Sequence, residues 1–272
     1  RYELSGGLIK NAVLLALSQC IRGQPDHPEI AMAHLESGAR AQLERPRDSQ
    51  SRVQIPKVRL EHVVLPGKIG EELREMVAAV RNRRTVLERW KIGSHLTYGK
   101  GLSALFCGPP GTGKTLCAEA IAGELGLPLL TASIGSLVSK FVGETESNLE
   151  SLFAEAAARR AVLFVDEAEC LLMRRGQGAS TDRHDDSVVN ALLTLIERHE
   201  GLVLFATNRD EVLDGALARR LTYRLEFPFP SVQARAEIWR ALIPGSVPTC
   251  GQIDIGSLAR CYPISGGLIK NA

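Results

Sequence analysis

The chain has 272 residues, 44% of them hydrophobic and 24% charged. That composition excludes a disordered polymer, and the length allows one large domain or two small ones at roughly 100–200 residues each. Thirty-three basic against 31 acidic residues leave a net charge of +2, which argues against nucleic acid or a membrane surface as a partner held by overall charge. The six cysteines (Cys20, Cys107, Cys117, Cys170, Cys250 and Cys261) form no C-x-x-C pair and read as free thiols in a reducing, cytoplasmic setting. No apolar run approaches the ~20 residues of a membrane span, so no membrane is expected.

Residues 1–20 have an early charge, an apolar patch and a closing cysteine, as a lipoprotein signal does, but Gln19 is bulky where a small residue is wanted. A repeat removes that reading. Ser5-Gly6-Gly7-Leu8-Ile9-Lys10-Asn11-Ala12 recurs letter for letter as residues 265–272, each copy with a tyrosine three residues ahead of its serine, Tyr2 and Tyr262. The flanks diverge, Glu3-Leu4 against Pro263-Ile264, as they do between natural repeats and not in an artificial duplication. The repeat therefore implies a longer protein with tandem modules. Helices are predicted over 6–20 and 29–44, and the polar, proline-bearing stretch after them (RPRDSQSRVQIPK, residues 45–57) reads as a linker.

From Gly67 to Trp90 the positions Ile69, Leu73, Met76, Val77, Val80, Leu87 and Trp90 make one apolar stripe. Arg81, Arg83 and Arg84 late in that helix read as a solvated face complementing its dipole. Beyond Gly101, strand-like runs at 103–107, 127–132, 161–165, 202–206 and 223–227 alternate with helical stretches at 114–125, 145–159 and 187–199. Such alternation predicts a parallel, helix-covered α/β sheet with ligands at the carboxyl ends of its strands.

Two motifs carry chemistry. Gly108-Pro109-Pro110-Gly111-Thr112-Gly113-Lys114-Thr115 follows the strand ending at Cys107 and opens a helix, the required context for G-x-x-x-x-G-K-T. Its backbone N–H groups and the helix N-terminus curl around phosphate, Lys114 reaches the β and γ phosphates, and Thr115 ligates Mg²⁺. About fifty residues on, an apolar strand delivers Asp166-Glu167. A carboxylate pair at the end of a buried strand is costly without a cation or a task. Asp166 suits the metal, and Glu167 suits orienting and deprotonating an attacking water.

Over about residues 55–272, GPPGTGKT, the strand-borne Asp166-Glu167, Ala206-Thr207-Asn208 and the pair Arg219-Arg220 resemble the AAA branch of the AAA+ ATPases. The resemblance implies a P-loop NTPase three-layer sandwich with a five-stranded parallel sheet, together with partial all-α lid segments. It implies ATP and Mg²⁺ as cofactors and a hexameric ring of like subunits that remodels or threads a protein substrate. Residue by residue it implies nucleotide contacts from Gly108 through Thr115, Leu116 and the lid glycines Gly266 and Gly267. Asn208 matches the sensor that helps place the lytic water. Arg219 and Arg220 match the segment reaching a neighbour's γ-phosphate, and Lys140, Phe141 and Val142 match a pore loop gripping polypeptide. The rival roles are a turn cap for Asn208, local ion pairs with Asp214 or Glu226 for the arginines, and a core position for Phe141. The chain departs from the family where D-G-F is replaced by His199-Glu200-Gly201 and where the G-R-F-D after the arginines is absent. The expected organisation is lid helices of a preceding module at 1–45, a linker at 46–57, an ATPase core at 58–228 and a partial lid at 229–272. Two rival functions stay in view: a nucleic-acid motor of the same superfamily, and a nucleotide-binding scaffold without turnover.

Overall fold

The computed structural model describes residues 13, 17, 20, 32, 33, 35, 36, 51–91, 101–137, 144–169, 182–209, 215–243, 247 and 253–272. The chain divides into two units, 1–49 and 50–272. In the first, Val13, Leu17 and Cys20 are helical, as are Met32, Ala33, Leu35 and Glu36. The remainder of the two helices predicted there lies outside the described residues.

Six strands build the sheet of the second unit: β1 (Ser51–Gln54), β2 (Leu102–Cys107), β3 (Leu129–Ser133), β4 (Val162–Asp166), β5 (Leu202–Thr207) and β6 (Tyr223–Glu226), in the order β1-β3-β4-β5-β2-β6. All neighbours pair in parallel except β1, which runs antiparallel to β3. The central parallel strands β2, β4 and β5 are apolar almost throughout, and β5 is buried at every position. That is the signature of a sheet covered by helices on both faces.

The helices are α1 (Gly67–Arg84), α2 (Lys114–Leu125), α3 (Ile134–Leu137), α4 (Glu144–Arg159), α5 (Asp182–Arg198), α6 (Gly215–Ala218), α7 (Val232–Leu242), α8 (Ile255–Cys261) and α9 (Gly266–Asn271). Alternation along the strands sends Ala104, Phe106, Phe164, Leu204 and Ala206 toward α1 and α2, where Leu73, Met76, Cys117 and Ile121 are buried. Leu105, Leu163, Val165, Val203 and Phe205 point the other way, toward Leu149, Leu152 and Phe153 of α4 and Leu192 and Ile196 of α5. The result is the three-layer α/β sandwich of a P-loop NTPase.

Two expectations are corrected. The sheet has six strands and not five, because Ser51–Gln54 of the presumed linker forms the antiparallel edge strand β1. Its stability comes from the backbone ladder to β3 and from polar side chains, which hydrophobic patterning does not detect. Ser51 Oγ donates to Glu155 on α4 at 2.9 Å, and Gln54 Nε2 donates to Glu119 on α2 at 2.9 Å. The apolar stripe of α1 also stops short of Trp90, which is 64% exposed. The helix widens into a π-turn at Thr85–Arg89, with Trp90 N–H bonded to Thr85 O at 3.0 Å. One extra residue per turn shifts the phase and rotates the indole off the core face.

After β6 the chain enters a small group of three helices, α7, α8 and α9. Ser231 caps α7 by accepting from Ala234 N–H. Buried Arg235 staples this group from within, its Nε donating to Ala259 O at 3.0 Å and its guanidinium to Pro230 O at 2.7 Å. Among the described residues, no helix is long and apolar enough to cross a membrane.

Close packing gives opposite expectations for two helical glycines. A Cβ on Gly123 of α2 would run into the carbonyl oxygen of Val58, whereas one on Gly70 of α1 meets only the flexible end of Arg74 at 3.6 Å. Gly70→Ala should therefore gain about 0.5–1 kcal/mol from helix propensity. That corresponds to about 1–4 °C in Tm for a domain of roughly 200 residues. Gly123→Ala should lower Tm, and thermal unfolding followed by circular dichroism checks both signs.

Candidate functional site

Strand order and register place the site before any side chain is considered. β2 lies between β5 and β6, away from the strand that follows it in sequence, so the carboxyl end of β2 faces a crevice at a switch point. Cys107 pairs with Thr207, so the residues immediately beyond them, Gly108 and Asn208, emerge side by side. On β4, Asp166 pairs with Ser133 of β3.

The glycine loop departs from the end of β2 with Gly108, Gly111 and Gly113 at φ +143°, +77° and +102°. These left-handed or extended-positive conformations strain any residue with a side chain. A Cβ on Gly111 would also strike the hydroxyl of Ser265. Thr112 Oγ1 closes the loop by donating to Pro109 O at 2.8 Å. α2 then begins at Lys114, with Gly113 as its N-cap.

Lys114 is only 7% exposed. Its ammonium donates to Gly108 O at 2.6 Å, to Pro109 O at 3.0 Å and to Asn208 Oδ1 at 2.8 Å. Asn208 is thus brought against the phosphate loop, and its backbone N–H is fixed by Glu169 Oε1 at 2.7 Å. Thr115 Oγ1 stands 3.4 Å from Asp166 Oδ2. A hydroxyl and a carboxylate oxygen so placed are hard donors of the kind Mg²⁺ selects. Together with the glycine cradle, this donor set fits the nucleotide and the cation implied by the motifs.

Glu167 follows at φ +54°, a left-handed conformation unusual for a residue with a side chain. It is held there by two contacts. Its N–H donates to Asp166 Oδ1 at 2.9 Å, and its Oε2 accepts from Ser133 Oγ at 2.9 Å. On the other wall of α2, burial pushes the Cys117 thiol up to about 12, so it carries no thiolate chemistry near neutral pH.

The start of α9 packs against the glycine loop. Gly267 N–H donates to Gly111 O at 2.9 Å, and a Cβ on Gly267 would lie 3.2 Å from Gly111 Cα. Gly266 stands beside it, with Ile238 at 3.4 Å from where its Cβ would be. Leu116 is exposed on the first turn of α2.

The two arginines lie apart from this cluster in environment. Arg220 pairs with Glu197, whereas Arg219 is exposed in the turn after α6. The described partner of Arg220 is therefore Glu197, while Glu226 pairs with Arg224 at 3.9 Å and Asp214 lies outside the described residues. Lys140, Phe141 and Val142 lie outside the described residues.

Four residues of the site escaped the sequence reading: Ser133, Glu169, Glu197 and Ser265. Ser133 was accessible in principle, since it ends the strand neighbouring the one that carries Asp166. The others depend on contacts between elements that no local pattern reveals.

Residues 104–229 match the model of the family described as "ATPase family associated with various cellular activities (AAA)". The chain is similar to the ATP-dependent zinc metalloprotease FtsH 3 of Sphaerobacter thermophilus, at 34% identity over 232 residues, covering 82% of this chain and 46% of the relative. It is similar to the ATPase family AAA domain-containing protein FIGL1 of Arabidopsis thaliana, at 45% identity over 154 residues, covering 53% of this chain and 22% of the relative. An uncharacterized AAA family ATPase, y4kL of Sinorhizobium fredii, is 43% identical over 130 residues, covering 46% of this chain and 38% of the relative. The chain thus spans less than half the length of each of these relatives.

The strained geometry at Gly111 gives a direct test of the cradle. Gly111→Ala forces a side chain onto a positive φ and against Ser265, so it should weaken ATP binding by at least tenfold, about 1.4 kcal/mol. Titration with a fluorescent ATP analogue measures it.

Proposed function

The chain belongs to the AAA family of ATPases, and from that premise we propose that it hydrolyses ATP with Mg²⁺ at the interfaces of a ring, coupling turnover to the remodelling or threading of protein. The observation that carries the reading is the convergence of Lys114, Thr115, Asp166, Glu167 and Asn208 at the carboxyl ends of β2, β4 and β5. An arrangement for binding alone does not require a carboxylate held beside the metal-type donors in a strained backbone conformation, as Glu167 is. This favours turnover over a static scaffold.

Each residue then has a task. The loop N–H groups and Gly266-Gly267 enclose the phosphates. The Lys114 ammonium exchanges loop carbonyls for phosphate oxygens. Thr115 and Asp166 are the protein ligands for Mg²⁺, which supplies neutralisation of phosphate charge. Glu167 takes the proton of the attacking water through the carboxylate oxygen that Ser133 leaves free, and Asn208 orients that water. Arg219 and Arg220 serve the neighbouring subunit's site.

Near-neutral charge and the Lys140-Phe141-Val142 segment favour a polypeptide over a nucleic acid as the substrate. FtsH 3, named as an ATP-dependent protease, is a relative in keeping with that choice. The octamer repeat extends the proposal to organisation. In the copy at 265–272, Ser265 and Gly267 meet the phosphate loop. The identical residues at 5–12 are then the lid of a preceding AAA module, with 1–45 as its closing helices.

Lys114→Ala should abolish ATP binding, because the phosphates lose the loop's ammonium. Glu167→Gln should retain binding and lose about 10²–10⁴ in kcat, the usual contribution of a positioned acid or base. Phosphate release and equilibrium binding on the two variants check this, and a wild-type rate for Glu167→Gln would refute the water-activation role.

The substrate assignment has its own test. Unfolded polypeptide, and neither DNA nor RNA, should stimulate phosphate release severalfold, and Phe141→Ala should remove the stimulation. Stimulation by nucleic acid alone would move the protein to the nucleic-acid motors.

A further inference from the structure

Adjacent arginines of the same charge and length are treated oppositely by this fold. Arg220 is pinned along its whole length. Its N–H donates to Leu217 O at 2.9 Å, and its carbonyl accepts from the buried Ser103 hydroxyl at 2.7 Å. Its Nε donates to Glu197 Oε1 at 2.6 Å and its Nη1 to Ala216 O at 3.2 Å. The guanidinium therefore bridges the last turn of α5 and the first turn of α6. Ser103 O accepts from Thr222 N–H at 2.8 Å, which holds the far side of the same turn. Arg219 has no such tether: it is exposed, one residue past α6, and no described hydrogen bond or ion pair engages it.

A trans-acting arginine needs two things: a free guanidinium and a backbone fixed well enough to aim it. Misplacement by about 1 Å can cost on the order of 10² in rate. Arg219 supplies the guanidinium, and the anchored Arg220 supplies the fixed backbone. We propose that Glu197 is a positioning residue for catalysis in the neighbouring subunit: it fixes Arg220 so that the turn presents Arg219 alone to that neighbour's phosphates. The division of labour rests on the reading that this segment acts across a ring interface. Within it, Arg219 is the residue that touches the nucleotide and Arg220 is part of its mount.

The bland rival is a surface ion pair stapling α5 to α6. Both side chains are about a third exposed, 34% for Arg220 and 37% for Glu197. An ion pair that open contributes little to stability, so its removal leaves the fold intact and any effect appears in kinetics.

The test uses the full-length protein and three readouts. Glu197→Ala should lower kcat by on the order of 10–10² while KM for ATP stays within about twofold, because the subunit's own nucleotide site is untouched. Placed on Arg219→Ala, which alone should lose about 10³ or more, Glu197→Ala should cost nothing further. Mixed with Lys114→Ala subunits, Glu197→Ala should regain activity, since a sound arginine turn then faces a sound nucleotide site. Should Glu197→Ala lower Tm, Glu197→Gln keeps the shape and the Oε1 acceptor and is judged by the same readouts, with a smaller loss expected.

A loss that multiplies with Arg219→Ala, or that Lys114→Ala subunits do not rescue, overturns the positioning role and leaves the trans arginine standing. So does a wild-type kcat for Glu197→Ala. Full activity of Arg219→Ala itself would instead remove the underlying trans reading.

Discussion

A buried ammonium must be surrounded by oxygen, and the site is organised around that requirement at Lys114. Leaving such a group in a protein interior without acceptors costs several kcal/mol, so the fold has to deliver partners from more than one direction. It does so through register. Pairing of β2 with β5 places the carbonyls of the glycine loop and the side chain of Asn208 around one nitrogen. The same parallel sheet sets Asp166 beside Thr115 and Ser133 beside Glu167. Charge, cradle and the placing of the Glu167 carboxylate are thus consequences of strand order more than of any single motif.

The site carries backbone strain, as do the helix-end residues Lys91 and Arg160 outside it. The loop glycines relieve it by lacking side chains, but Glu167 keeps a positive φ with its side chain in place. A conformation of this kind costs on the order of 1–3 kcal/mol and persists only when neighbours over-determine it. Asp166 and Ser133 do so here, one at the backbone and one at the carboxylate. Ser133 therefore ties down one of the two carboxylate oxygens.

Much of this was legible in the residues alone. The run Leu202–Ala206 is apolar at every position, and strands buried on both faces cannot easily be read as anything else. The glycine loop and Asp166-Glu167 were visible because their chemistry demands fixed residue types at fixed spacing. β1 was not, because Ser51–Gln54 pairs through its backbone and through two polar side chains. Trp90 was misplaced because a π-turn breaks the period on which the stripe depends. Glu197 carried no signal at all: its partner lies 23 residues away on another element, and helices are full of unremarked glutamates.

The sheet's two outer strands have a further consequence. β1 and β6 are each four residues long, and β6 alternates exposed Arg224 and Glu226 with inward positions, while β1 exposes Arg52. Short edges studded with charge resist pairing with a strand from another molecule, the route by which open sheets aggregate. A second copy of the chain therefore meets little backbone ladder to extend at either edge. The sheet can stay open at both ends without becoming a template for its own growth.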